Sequence, residues 1–140
     1  MIRSLADIIG RKFSLLIAIF FSLQIIACNE ASIDVSLISQ AELIRQIETE
    51  QSFLILDVRS KKEYEIGHIP GAINIDFKEL NNRIEEINSF RNSQVVVYCE
   101  RGIRAKVAEA TLQQAGFQSI FHLEGDMSAW RKNFLPMESQ

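Results

Sequence analysis

Two runs restrict the fold more than anything else in the chain: FLILDV, Phe53–Val58, and QVVVYC, Gln94–Cys99. Neither alternates polar with apolar residues, so neither suits a sheet with one wet face. The first has the pattern of a buried strand in a parallel sheet, and the second, with Val95–Tyr98 all favouring extended backbone, reads as the next strand. Around them strand and helix signals alternate. VSLI (Val35–Ile38) reads as a weak strand; SQAELIRQIE (Ser39–Glu48) reads as a helix, with Ser39 and Glu42 at capping-box spacing and Leu43 and Ile47 on one face. Ser60 and Glu63 repeat the capping box, Gly67 stops that helix, and HIPGAINI (His68–Ile75) turns at Pro70-Gly71 into a short strand. The spacing of Phe77, Leu80, Ile84 and Ile87 predicts a helix over 77–87. Another is predicted over Arg104–Gly116, with Val107, Ala108, Thr111, Leu112 and Ala115 inward and Gly116 as its stop. SIFHL (Ser119–Leu123) is a last strand and DMSAWRKNF (Asp126–Phe134) a closing helix. The expectation is an α/β fold: a central parallel sheet of about five strands with helices on both faces.

The first residues are different material. Arg3, Arg11 and Lys12 precede an uncharged 15-residue run, Phe13–Ala27, which is short for a membrane span of about 20 residues. Basic flank, apolar run and small residue mark a secretory signal, and Ile25-Ile26-Ala27-Cys28 resembles the lipobox of bacterial lipoproteins. The division expected is a signal peptide over 1–27, a lipid-anchor tether over 28–35, a folded domain over 36–135 and a C-terminal tail over 136–140. Acylation of Cys28 would place the protein on a membrane of the bacterial cell envelope, facing the periplasm, with Asn29 leaning toward the outer membrane. An uncleaved signal anchor is the alternative. The whole chain holds 15 basic and 18 acidic residues; removing Arg3, Arg11, Lys12 and Asp7 leaves 12 and 17, a net −5 from Cys28 onward. That balance, with no basic stripe, argues against a nucleic-acid partner.

Chemistry concentrates at Cys99. It ends a strand and precedes Glu100, Arg101, Gly102, Ile103 and Arg104, where a helix starts. In open α/β sheets ligands bind beyond the carboxyl ends of the strands. A loop wrapped round the sulfur would aim backbone N–H groups at it, Gly102 would allow a left-handed angle, and Arg101 and Arg104 would favour thiolate; Glu100 opposes them. A buried inert cysteine is the competing reading.

The match to a known family extends beyond this loop. LDVRSKKEYEIGHIPGAINI (Leu56–Ile75) resembles the first signature of the rhodanese family, CERGIRA (Cys99–Ala105) its active-site loop, and LEGDMSAW (Leu123–Trp130) its closing signature. That closing signature normally has two adjacent glycines; here Asp126 follows Gly125. The resemblance covers about Ser36–Phe134 and implies the fold already read. It also implies a sulfurtransferase in which Cys99 takes the outer sulfur of thiosulfate or a similar small anion, becomes a persulfide and passes the sulfur to a thiol. No metal or cofactor is implied. The amides of 100–104 would stabilise the sulfur, Arg101 and Arg104 would hold an anionic donor, and Asp57 and Arg59 would support the loop.

Two rival functions remain open. Phosphatase and arsenate reductase loops place arginine six positions after cysteine; here Arg104 is five after Cys99, and the shorter ring suits one sulfur atom better than an oxyanion. The other rival is a catalytically silent binding or persulfide-carrier module, which Glu100 and Asp126 keep in play. His68 is read as packing, His122 as peripheral and Trp130 as a core anchor.

Overall fold

The computed structural model describes residues 35–140. The expected signal peptide, Cys28 and the tether up to residue 34 lie outside the described residues. Within them, β1 (Ser36–Ile38), β2 (Leu54–Asp57), β3 (Ile73–Asn74), β4 (Gln94–Tyr98) and β5 (Ser119–Leu123) form one sheet in the order β1-β5-β4-β2-β3. Every neighbouring pair is parallel. Helices α1 (Gln40–Glu48), α2 (Lys61–Ile66), α3 (Leu80–Arg83), α4 (Ile103–Gln114) and α5 (Asp126–Lys132) accompany the strands.

The apolar runs are buried on both sides because the strand period of two divides their side chains between two cores. Leu54, Leu56, Val95, Val97 and Ile120 pack with Leu80, Ile87, Ala108 and Leu112 on one face. Ile55, Val96, Tyr98 and Leu123 pack with Leu43, Tyr64, Met127 and Trp130 on the other. The five-stranded parallel sheet and its two helical layers are those the sequence predicts.

Topology selects the place for chemistry. From β2 the chain moves to β3 on one side; from β4 it moves to β5 on the opposite side. The crevice beyond the paired ends Asp57 and Tyr98 is therefore a switch point, where connections diverge and leave space. Cys99 follows Tyr98 directly.

Several local expectations need correction. The helix predicted over 77–87 is one α-turn followed by a 3₁₀ helix, Ile84–Phe90. Ile84, Ile87 and Phe90 recur every three residues, the period of that tighter helix, and all three pack on the core. Val107 points to solvent, because Ala105, Ala108, Glu109 and Leu112 face inward. Small alanines let α4 lie close on the sheet, and this rotates Val107 outward. Ser39 caps α1, but Glu42 does not return the bond, since Arg45 and Gln46 occupy its carboxylate. Ser60 and Glu63 do form the full capping box. Residues 136–140 are docked: Glu138 pairs with the backbone of His68, and Trp130 Nε1 donates to Pro136 O at 2.8 Å. His68 is buried, stacks on Tyr64 at 3.7 Å and meets its carbonyl through Nδ1, consistent with a packing residue.

Candidate active site

Cys99 is a free thiol, 2% exposed, at the carboxyl end of β4. The loop bends back over it because Gly102 takes φ +90°, a left-handed angle costly for a residue with a Cβ. This brings the Gly102 N–H to 3.1 Å from Cys99 Sγ and opens α4 at the next residue. The opposite side of the loop is fixed to α5. Met127 N donates to Cys99 O and Ser128 N to Glu100 O, both at 3.1 Å, so N–H groups left unpaired by the start of α5 hold the loop.

Asp126 makes the third attachment: its Oδ1 accepts from Cys99 N at 2.8 Å. Its φ of +52° is the left-handed backbone that the family's second glycine would adopt freely. Aspartate tolerates this angle and adds a carboxylate that glycine lacks. His122, read as peripheral, is in fact half-enclosed beneath the loop. Its Nε2 lies 3.1 Å from Asp126 Oδ2, and its Nδ1 lies 2.5 Å from Glu109 Oε1. Hydrogen bonding to Asp126, then to Glu109, raises its pKa from 6.5 to about 10 despite partial burial. It is an imidazolium at neutral pH.

The arginines are less available than their spacing implies. Arg104 makes a fork to Glu63, at 2.7 and 2.8 Å. That contact, ahead of the contribution from Ser60 and against the effect of burial, holds the Glu63 carboxyl at about 2. The same fork raises the Arg104 pKa, with Cys99 contributing less. Arg101 is exposed on the rim. Arg59 is 1% exposed and clamps Asp57 through its own N–H, Nε and Nη2, while Nη2 also donates to Gly67 O. Glu100, expected to oppose the thiolate, is committed to cations: it bonds Arg131 and lies 3.8 Å from Arg59 Nη1.

Cys99, Glu100, Arg101, Ile103 and Arg104 line a shallow pocket of about 360 Å³. A larger depression of about 560 Å³ near Asn74 and Asp76 contains Lys61 and Arg83, but these cations are already paired, with Glu65 and with Glu79 and Glu86. Cys99 and the loop 100–104 thus form one unit, with Asp57 and Arg59 beside it through Glu100. His122, Glu109 and Arg131 are the participants the sequence reading missed. The alternation of SIFHL offered one signal, since it puts His122 on the same face as buried Ile120.

Over residues 39–133 the sequence matches the family described as Rhodanese-like domain. The Bacillus subtilis protein YrkF, described as a candidate sulfur carrier, is 33% identical over 86 residues, 61% of this chain and 45% of that protein. A tRNA uridine(34) hydroxylase of Buchnera aphidicola is 30% identical over 112 residues, 74% of this chain and 35% of the relative. The chain thus spans less than half the length of these curated relatives. A solved rhodanese-related protein of Thermoplasma volcanium superimposes with a TM-score of 0.65 at 28% identity, over 75% of this chain and 99% of its own. The family match takes in well over half of the sequence, including β2, β4 and the entire loop around Cys99, and on that extent the chain belongs to the rhodanese-like domain family.

Proposed function

We propose that the protein is a sulfurtransferase that carries sulfane sulfur as a persulfide on Cys99. The observation that carries this reading is the Gly102 N–H directed at Cys99 Sγ from a six-residue loop at the switch point of the sheet. Family membership supports sulfur-transfer chemistry in general, and the name of YrkF points to sulfur carriage. The Cys99 thiolate attacks the outer sulfur of a donor such as thiosulfate; the donor S–S bond breaks and sulfite leaves with the bonding pair. An acceptor thiolate then attacks the outer persulfide sulfur, and the Cys99 thiolate is released. The sulfur keeps its oxidation state, so no external oxidant or reductant is consumed.

Incubating the purified chain with thiosulfate or polysulfide, followed by peptide mass analysis, tests this reading. The expected result is one added sulfur on the Cys99 peptide, removed by a thiol or by cyanide. No adduct from either donor would overturn it in favour of a silent binding module. Anchoring at Cys28, with thiol acceptors on the periplasmic side, is the cellular setting we propose; mass analysis of membrane-extracted protein would reveal acylation.

The donor contacts are unequal. Arg101 is exposed and forms no ion pair among the described residues, whereas Glu63 already neutralises Arg104. Arg101→Ala is expected to raise KM for thiosulfate about fivefold, the scale of one exposed charge contact. Glu63→Gln, which keeps a capping side chain but releases Arg104, is expected to lower it. Steady-state kinetics with cyanide as acceptor measures both; KM unchanged in both variants would remove the arginines from donor binding.

A further inference from the structure

We propose that Glu109, His122 and Asp126 form a positioning relay that sets the reactivity of Cys99 from beneath its loop. This rests on the reading of Cys99 as the reacting residue. The three side chains come from α4, β5 and the first residue of α5, and they end on the Cys99 amide. Asp126 and Glu109 are 3% and 6% exposed, so these charges are largely withdrawn from water. Buried carboxylates at this depth need partners, and His122 is the cation between them.

The relay reaches both backbone groups that define the sulfur's surroundings. Asp126 Oδ1 takes the Cys99 N–H and orients the start of the loop. On the other side, a Cβ placed on Gly102 would lie 3.1 Å from Asp126 Oδ2 and 3.4 Å from His122 Nε2. The residue that donates to the sulfur thus rests on the carboxylate–imidazolium contact itself. The groups facing His122 are Glu109 from α4, Asp126 from α5 and the Cys99 loop; its β1 neighbour in register is the uncharged Leu37. With His122 protonated, the relay carries a net charge of −1; without that proton it carries −2, a poorer neighbour for a thiolate.

These residues position rather than react, so the test must separate charge from packing. Iodoacetamide alkylation of Cys99 in the full chain, read on its peptide across a pH series, reports thiolate availability without requiring sulfur transfer. His122→Gln removes the cation and is expected to slow alkylation about tenfold at neutral pH and to move its profile to higher pH, the equivalent of one pH unit. Adding Glu109→Gln to His122→Gln restores the relay charge to −1 and is expected to recover most of the rate. Asp126→Asn keeps an acceptor for the Cys99 amide and tests the carboxylate alone; it is expected to shift the profile the opposite way. The proposal is overturned if His122→Gln lowers thermal stability but leaves the alkylation profile in place, or if Glu109→Gln gives no recovery. If the variants show the alkylation shifts while the parent chain never accepts sulfur, the proposed function is refuted and the relay stands.

Discussion

Cys99→Ser is expected to abolish sulfur loading, with a fall of at least about a thousandfold in turnover. The substitution is nearly isosteric, and the Gly102 N–H keeps an acceptor to meet, so the loop has no reason to move. What disappears is the nucleophile: a serine hydroxyl ionises far outside the range in which a thiol does, and it forms no persulfide. Peptide mass analysis after incubation with thiosulfate or polysulfide, with circular dichroism as a check on folding, measures the effect. Sulfur retained by a folded Cys99→Ser protein would have to reside on Cys28, the chain's other cysteine, and would overturn the role given to Cys99.

Arg59→Leu is expected to destabilise the fold by about 3–5 kcal/mol, the usual consequence of removing one partner from a buried ion pair. Asp57 is fully buried at the end of β2 and draws three hydrogen-bonding atoms from Arg59. The guanidinium also caps Gly67 O beyond α2 and lies 5.7 Å from the Tyr98 ring centre. Its loss leaves a carboxylate without water or counter-ion at the crevice between β2 and β4. Against a typical domain stability of about 5–15 kcal/mol, that is a large share. Urea unfolding measures the change. The double variant Asp57→Asn/Arg59→Leu removes the stranded charge and is expected to unfold at a higher urea concentration than Arg59→Leu. If the single variant is too unstable to purify, recovery of soluble protein in the double variant carries the same information. Equal stability of parent and Arg59→Leu would exclude the pair as a structural element.

The elements written most plainly in the sequence are those fixed by neighbours close along the chain. FLILDV and QVVVYC declare two-sided burial through composition alone, Ser60 and Glu63 declare a helix start through a three-residue spacing, and SIFHL coincides with β5. Phe77–Ile87 misled because apolar spacings of three and four serve an α-helix as well as the 3₁₀ turn that formed. The bend of the loop over Cys99, with Gly102 left-handed, was legible for the same local reason. The electrostatic partners of the loop's residues were not: Glu63 meets Arg104 across 41 positions, Glu100 meets Arg131 across 31, and Asp126 meets Cys99 across 27. Those encounters are created by the order of strands in the sheet. A charge inventory of the loop alone therefore counted Arg104 and Glu100 without the partners they meet.

The three ties between the loop and α5 bear on what can approach the sulfur. Cys99 N, Cys99 O and Glu100 O are all held, so this rim does not fold aside without unseating the helix beneath it. With Cys99 only 2% exposed, a reagent meets the sulfur tip-first, through its outermost atom, while its bulk stays outside. If Cys99 is the residue that takes sulfur, as proposed, this narrow access is expected to favour donors whose transferable sulfur is a terminal, unhindered atom.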